Sequence, residues 1–368
     1  MGRGIFVVDL SDGSTLFKAT YGSTGDVTTG IDQKYAMMKY CFPAEISVIP
    51  FSTYELLMYA ADIYGQIWKV KYDYFADSSH DYDDPTSSRW TVTRIFAANP
   101  GSSLATGDPD TFKAGTHGLL SADAGRKMFY SPDVNYFGND WSTNPVLYFG
   151  TGDRAHPRYA MISNRIYLVT DDDTLAYETD LLNVTCDELD DDADADGDGA
   201  IDDDDDRIRD AMYDILGNGS QYVRGLYKVL DKQGDCSEDA LDHTGEMVLS
   251  QPTLFYKNVY FTSYQPIFDD PCNPAGNAFI YVLDHSFYTS GFNYDLSNDG
   301  TGEVRTITDT YRYISGSSIP SGVRVITRDG VAAGVFSAGG AVAGAGEGGS
   351  TSIPGPPGGI EPLLWWTY

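Results

Sequence analysis

Residues 56–73 read LLMYAADIYGQIWKVKYD, and this stretch decides the fold class. An apolar strand is followed by a small turn and then by a second strand that ends in Asp73. Two such strands joined by a short turn are the pattern of a β-hairpin. The segment therefore predicts antiparallel β-structure.

The hairpin pattern returns along the chain. The other copies are residues 4–13 (GIFVVDLSDG), 146–154 with 164–173 (VLYFGTGDR, NRIYLVTDDD), 258–266 with 277–284 (NVYFTSYQP, NAFIYVLD) and, more weakly, 322–336 (GVRVITRDGVAAGVF). Repeated hairpins in which one strand ends in Asp are typical of β-propeller blades. Their spacing is uneven and four or five blades is the low end for closure. We therefore predict an all-β fold, a partial or modified β-propeller with long insertions and some blades missing.

Composition agrees with many short strands joined by glycine-rich turns, because Tyr (27), Phe (17) and Gly (39) are abundant. The formal net charge of −30 argues against a nucleic-acid partner, which would need clustered Lys and Arg. No stretch reaches the roughly 18 apolar residues that span a membrane. No signal peptide precedes the strand-like residues 5–8, so we expect a fragment or a chain completed by an earlier segment.

One acidic segment has the spacing of a calcium loop. Residues 194–205 read DADGDGAIDDDD, with Gly199 at loop position 6 and the apolar Ile201 at position 8. Alternate carboxylates can converge on one hard cation, and the glycine allows the sharp bend. The predicted Ca²⁺ ligands are Asp194, Asp196, Asp198, the carbonyl of Ala200, Asp202 and Asp205.

Two alternatives stay open for this segment. Thirteen of the twenty residues 187–206 are acidic, and such a run is often only a solvated, self-repelling loop. A loop that starts at Asp192 also alternates, but it places Gly199 where an apolar residue is expected. Position 12 holds Asp205 in place of Glu, so Asp202 is expected to share in closing the site.

The acidic loop lies in a predicted insertion, residues 172–217, of a propeller-like domain that spans residues 1–336. Ile208, Met212 and Ile215 recur at helical spacing after the loop, and Gly217 follows as a stop signal. This pattern predicts a short amphipathic helix. Residues 337–368 form a predicted Gly/Pro-rich tail with an apolar end. We interpret this tail as a flexible segment whose aromatic end docks on the body.

The four cysteines include no CxxC pair, which argues against zinc and thioredoxin-like chemistry. Cys186 and Cys236 bracket the acidic loop, so a disulfide between them is the most economical pairing. A Cys236–Cys272 bridge is the main alternative, because connectivity cannot be deduced from sequence.

The GTGDR sequence at residues 150–154 invites comparison with a phosphate-binding loop. It lacks the lysine and the following helix of that loop, so we interpret it as a turn between strands. We expect Asp153 and Arg154 to form an ion pair that ties neighbouring strands. The histidines are scattered without metal-binding spacing, so no catalytic residue is predicted.

Several segments resemble one known family. They are residues 126–134 (RKMFYSPDV), 146–157 (VLYFGTGDRAHP), 259–284 (VYFTSYQPIFDDPCNPAGNAFIYVLD) and 315–326 (SGSSIPSGVRVI). These are similar to the C-terminal propeller of the PilY family of type IV pilus tip adhesins. In that family a calcium loop precedes a YAGDxxGxxW motif. Here YAADIYGQIW (residues 59–68) follows FSTYELLM, which has no carboxylate series.

The resemblance implies a non-enzymatic cell-surface adhesin, exported from a bacterium and located at the pilus tip. Its partners would be minor pilins or other pilus-tip components, a host or abiotic surface, and a second chain that supplies missing blades. Two alternatives remain. One is a structural subunit of an extracellular filament, in which exposed strand edges pair with a neighbour. The other is a quinoprotein-like propeller enzyme, although the adjacent cysteines of that class are missing here.

Overall fold

The computed structural model describes residues 2–76, 89–98, 125–138, 143–160, 162–185, 224–230, 244–268, 276–285, 311–314, 318–328, 331–338 and 341–342. Within these residues the prediction of an all-β chain is confirmed, since the only helical segments are the 3₁₀ turns Tyr74–Ala76 and Glu178–Asp180. No helix of this part of the chain is long and apolar enough to cross a lipid bilayer. The helix predicted before Gly217 lies outside the described residues.

The strands are short, as the turn-rich sequence predicts. In chain order the first eleven are β1 (Gly4–Val8), β2 (Thr15–Tyr21), β3 (Asp32–Tyr35), β4 (Ser47–Pro50), β5 (Glu55–Ala61), β6 (Gln66–Asp73), β7 (Trp90–Ala97), β8 (Asp133–Asn135), β9 (Val146–Gly150), β10 (Arg165–Thr170) and β11 (Ala176–Tyr177). The others are β12 (Leu182–Asn183), β13 (Gly225–Val229), β14 (Met247–Val248), β15 (Thr253–Phe255), β16 (Asn258–Pro266), β17 (Gly276–Asp284), β18 (Tyr311–Ile314), β19 (Arg324–Arg328), β20 (Val331–Val335), β21 (Ser337–Ala338) and β22 (Ala341–Val342).

Most of these strands form four open sheets. Sheet I has the order β1-β2-β3, and sheet II has the order β11-β7-β6-β5-β4. Sheet III has the order β12-β13-β10-β9-β8, and sheet IV has the order β14-β16-β17-β18 with β15 also paired to β16. The remaining strands form the hairpins β19-β20 and β21-β22. Pairing is antiparallel except for β2-β3, β7-β11 and β12-β13.

The predicted strand pairs are present. β5 and β6 pair antiparallel from Glu55↔Asp73 to Ala61↔Ile67, and β9 pairs with β10. β16 pairs with β17 over nine residues each, and β19 with β20 over five. The range predicted as an insertion begins with β11 and β12, which join sheets II and III. The predicted tail begins with the hairpin β21-β22.

Each sheet packs on the next sheet along the chain through its own apolar cluster. Phe17 and Trp68 belong to the cluster between sheets I and II, and Phe149 to the cluster between sheets II and III. Phe261 lies in the cluster between sheets III and IV, and Val323 packs the β19-β20 region on sheet IV. The middle sheets are therefore buried on both faces, which explains why their strands are continuous apolar runs.

The turn between β5 and β6 is built around a buried carboxylate. Asp62 accepts hydrogen bonds from the backbone N–H of Tyr64 (2.9 Å) and Gln66 (3.1 Å), from the Gln66 amide (2.7 Å) and from the Trp68 indole (3.2 Å). Gly65 takes the positive φ of 77° that the tight turn requires. Burial raises the pKa of Asp62 to about 7. The motif in residues 59–68 thus fixes a turn and the packing of its tryptophan.

The glycines of GTGDR allow sheets III and IV to approach closely. A Cβ on Gly150 would lie 2.5 Å from a methyl carbon of Val248, and one on Gly152 would lie 2.6 Å from the Val248 carbonyl oxygen. The Val248 N–H donates to the Thr151 carbonyl at 2.9 Å. These residues form a contact between sheets III and IV just after β9, where a turn is predicted.

Candidate functional site

The acidic segment lies outside the described residues. This applies to all the predicted calcium ligands, Asp194, Asp196, Asp198, Ala200, Asp202 and Asp205, and to Cys186, Cys236 and Cys272. The described residues themselves contain no cluster of three or more His, Cys, Asp or Glu side chains that could hold a metal ion. The calcium loop and both disulfide pairings therefore stay predictions.

The two ends of the acidic segment are described, and both are anchored in sheet III. Thr185 precedes the segment; its carbonyl accepts from the Lys228 ammonium at 3.1 Å and its hydroxyl from the Val229 N–H at 2.9 Å. Arg224 follows the segment and pairs with Asp172 at 2.6 Å. Burial lowers the pKa of Lys228 to about 8. The residues that flank the segment on both sides are thus fixed to sheet III by hydrogen bonds and an ion pair.

A buried ion pair connects sheets II and III. Lys69 of β6 lies 2.7 Å from Asp171 and 2.7 Å from Asp173, both just after β10. The Tyr59 hydroxyl donates to Asp171 at 2.7 Å. Because the Lys69 and Asp171 side chains are 6% and 0% exposed, their charges are satisfied by each other and not by water. We interpret this group as structural.

Two buried arginines share one carboxylate at the same interface. The Arg126 guanidinium lies 2.8 Å from a Glu178 oxygen and donates twice to the Ala98 carbonyl. Arg165 contacts the other Glu178 oxygen, and the Tyr167 hydroxyl donates to Glu178 at 2.5 Å. A carboxylate that two guanidiniums and a phenol surround has no room for a ligand, so this cluster also holds the fold together.

A cavity of about 670 Å³ opens among loops of sheets II, III and IV, the segment that leads into β19, and the start of β21. Its described wall consists mainly of loop residues and not of strands. The lining segments are residues 43–45, 129–131, 249–251 and 319–324, with Arg154, Thr253 and Ser337. Concave sites of 300–1,000 Å³ are the usual form of small-ligand sites, and loops on a rigid scaffold are their usual position.

Arg154 lies on the cavity wall without a carboxylate partner among the described residues. Its guanidinium contacts the Tyr130 hydroxyl and lies 5.6 Å from the centre of that ring. Asp153 instead pairs with Lys127 (2.6 Å) and His156 (3.0 Å). The predicted Asp153–Arg154 ion pair is therefore wrong, because Lys127 reaches Asp153 from the neighbouring loop.

Arg324 is the second guanidinium on this wall. It is exposed at the start of β19, and the structure gives it no carboxylate neighbour within the part of the chain it describes. Glu45 is the one acidic side chain among the described lining residues. Burial raises the pKa of the Tyr130 phenol, so its hydroxyl stays protonated at neutral pH and can both donate and accept.

Hydrogen bonds fix the remaining walls. The Gln251 amide donates to the Ser131 hydroxyl at 3.1 Å, and Thr253 donates to the Val323 carbonyl at 2.8 Å. Ser321 and Ser337 are joined by two hydrogen bonds of 2.9 Å each. These bonds hold the side chains of Ser131, Gln251, Thr253 and Ser321 in place, so little ordering of this part of the wall remains to be done on binding.

Comparisons with known proteins return no match, whether with protein-family models, with curated proteins or with solved structures. Reasoning from the sequence did not find the cavity, because its lining comes from segments far apart in the chain. The one local signal was Arg154, an arginine in a turn, and we assigned it to an ion pair.

Proposed function

We propose that this chain is a non-enzymatic, ligand-binding protein of the cell surface, an adhesin of the type found at type IV pilus tips. The observation that carries the proposal is the cavity, on whose wall lie Arg154 from a loop of sheet III and Arg324 from the start of β19. Neither guanidinium has a carboxylate partner among the described residues. The resemblance of residues 126–134 and 146–157 to the PilY family supports an extracellular location and pilus-tip partners.

We propose further that the sheets are blades of a partial β-propeller. Support comes from the packing order, since each sheet contacts the next one along the chain through its own apolar cluster. In this arrangement the cavity lies where loops of successive blades meet. Missing blades would come from a second chain.

Calcium has a supporting part in the proposal. The loop of Asp194, Asp196, Asp198, Ala200, Asp202 and Asp205 would bind one Ca²⁺ and so neutralise carboxylates that repel one another. The segment between Thr185 and Arg224 would then be ordered as a contact surface for pilins, other pilus-tip components, or a host or abiotic surface.

The proposal is tested by adhesion. Beads coated with the purified chain should be retained on epithelial cells or on polystyrene in the presence of Ca²⁺, more than beads coated with serum albumin. Retention should fall with EDTA and with Asp194→Asn combined with Asp198→Asn. Retention no greater than that of the albumin beads on either surface would contradict an adhesin. A quinone chromophore in the absorbance spectrum of the purified protein would instead support the enzyme alternative.

One observation favours the filament alternative. β1 is an edge strand of sheet I, and Phe6 (56% exposed) and Val8 (48% exposed) lie on its outer face. Exposed edge strands with apolar side chains can pair with another chain. Sizing the purified chain separates the two functions, since a filament subunit assembles with concentration and an adhesin domain stays at one size.

A further inference from the structure

We propose that the cavity binds a carboxylate-bearing saccharide through Arg154 and Arg324. This inference rests on the proposed surface-binding function and names its ligand class. The proposed function is binding at a surface, and the side chains of the cavity wall indicate the chemical class of the ligand.

The charges of the wall point to an acidic ligand. The chain carries 54 acidic and 24 basic side chains, so carboxylates outnumber the Lys and Arg side chains with which they can pair. Lys69, Arg126 and Arg165 each have one within 2.8 Å or closer. Arg154 and Arg324 both line the cavity, and neither has a carboxylate partner among the described residues. A guanidinium binds a carboxylate through two parallel, charge-assisted hydrogen bonds, which gives both affinity and orientation.

The other polar groups of the wall fit hydroxyls. Tyr130 keeps a protonated phenol, and the Gln251 carboxamide carries both a donor and an acceptor. Glu45 is an acceptor only, and it would repel a ligand with dense negative charge such as a polyphosphate. One acceptor carboxylate beside two guanidiniums therefore suits a ligand with separate carboxylate and hydroxyl groups.

The apolar part of the wall fits the C–H face of a sugar ring. Phe129, Ile319 and Pro320 line the cavity, and Ile319 remains 40% exposed. An apolar side chain left exposed in a polar cavity gains from covering by a ligand. The volume of about 670 Å³ is suitable for a ligand of disaccharide size.

An acidic peptide fits less well. Extended peptides are held by main-chain hydrogen bonds along a free strand edge. Most described lining residues of this cavity lie in loops, and Thr253, Arg324 and Ser337 are each the first residue of a strand. Among the described residues, no strand therefore follows the cavity wall for more than its first residue.

Calorimetric titration of the full chain in calcium-containing buffer tests the inference. The probes are digalacturonate, sialyllactose, the neutral methyl ester of digalacturonate and the dipeptide Asp-Asp. We expect at least one acidic saccharide to bind at millimolar concentration or below. The ester should bind about tenfold more weakly or worse, because it cannot form the charge-assisted hydrogen bonds of a carboxylate. The dipeptide keeps its carboxylates, and it should also bind about tenfold more weakly or worse because it lacks the ring and the hydroxyls that the rest of the wall fits.

Three variants locate the binding. Arg154→Gln and Arg324→Gln should each weaken saccharide binding about tenfold. Arg3→Gln is the matched control, because Arg3 also lies over a tyrosine ring (Tyr21, 5.1 Å) but does not line the cavity. It should bind as the parent does. Unchanged thermal unfolding of the three variants shows that they fold.

Each contrary result overturns the inference. The first two are an ester that binds as tightly as digalacturonate, and Asp-Asp that binds more tightly than the saccharides. The third is no heat of binding with either acidic saccharide. The fourth is saccharide binding by Arg154→Gln and Arg324→Gln that equals that of the parent. If the protein-coated beads still adhere to cells in any of these cases, the adhesin proposal stands and only the ligand class is wrong. If a saccharide binds but the beads do not adhere, the adhesin proposal fails alone.

Discussion

Two pairs of arginines differ in what surrounds them. Arg126 and Arg165 are buried between sheets II and III and share the Glu178 carboxylate. Arg154 and Arg324 line the loop cavity, where Arg154 contacts a tyrosine and neither has a carboxylate neighbour within the described residues. The first pair completes an interaction inside the fold. The second pair keeps charge available to a ligand.

The contrast teaches how the surroundings of a charged side chain separate a structural part from a functional one. A buried guanidinium must be neutralised, because an unpaired buried charge is very costly. An exposed guanidinium in a cavity is solvated and needs no partner. Removing the first kind should cost stability, and removing the second kind should cost only binding.

The largest expected effect is at Glu178. Glu178→Ala leaves two buried guanidiniums without their carboxylate, so the free energy of unfolding should fall by about 3–5 kcal/mol. Urea unfolding measures this directly. A loss below about 1 kcal/mol would show that the cluster is not structural and would break the comparison.

Asp62 extends the comparison to a buried carboxylate held mainly by uncharged donors. Its pKa is raised to about 7 by burial, against an ordinary value of 3.8. Between about pH 4 and pH 7 the folded state therefore keeps a proton that the unfolded state has lost, and Asp62 makes the protein less stable as the pH rises. The slope approaches about 1.4 kcal/mol per pH unit at its steepest.

The measurement is the difference in pH dependence between the parent and Asp62→Asn. Unfolding free energies at several pH values from 4 to 7 should fall more steeply with pH in the parent than in the variant. Parallel curves would mean that the carboxylate is ionised in the fold throughout, stabilised by its four donors.

Calcium binding tests the opposite case to the cavity arginines, because the acidic segment carries many more carboxylates than basic side chains. If residues 194–205 bind Ca²⁺, a concentration one hundred times the dissociation constant should stabilise the protein by about 2.7 kcal/mol. Thermal unfolding with and without Ca²⁺ measures the gain. Asp194→Asn with Asp198→Asn should abolish it, and Asp9→Asn, at a half-buried aspartate that follows β1, is the control that should not. No shift in the parent would leave only a solvated acidic loop.

A smaller effect is expected at the contact between sheets III and IV. Gly152→Ala puts a Cβ 2.6 Å from the Val248 carbonyl oxygen, so the backbone must move, at a cost of about 1–3 kcal/mol. Gly2→Ala meets open space and is the matched control. Urea unfolding compares the two. Equal stability would mean that the sheets do not meet as closely as the structure shows.

The smallest effect on stability belongs to the cavity arginines. Arg154→Gln and Arg324→Gln should each change the unfolding free energy by no more than about 0.5 kcal/mol, because both side chains are exposed. A loss of several kcal/mol from either variant would assign it a structural part and remove the contrast with Arg126 and Arg165. The same urea series that measures Glu178→Ala gives this value.

The sequence predicted the strands well and the site poorly, for a physical reason. Strand pairs such as β5-β6 are local, so two apolar runs joined by a short turn are enough to predict them. The close packing of Gly152 on Val248 depends on which sheets meet. So does the ion pair of Asp153, which forms with Lys127 and not with the predicted Arg154. Contacts between sheets cannot be predicted from a short stretch of sequence. The same holds for the cavity, because Arg154 and Arg324 lie 170 positions apart (324 − 154).

The most direct test of the central contrast is an NMR titration that reads arginine side chains. Nε–Hε signals of the full chain, assigned through single Arg→Lys variants, are followed while digalacturonate or sialyllactose is added. The signals of Arg154 and Arg324 should move with ligand, and those of Arg126 and Arg165 should stay in place. Movement confined to Arg126 and Arg165, or no movement at all, would contradict the account.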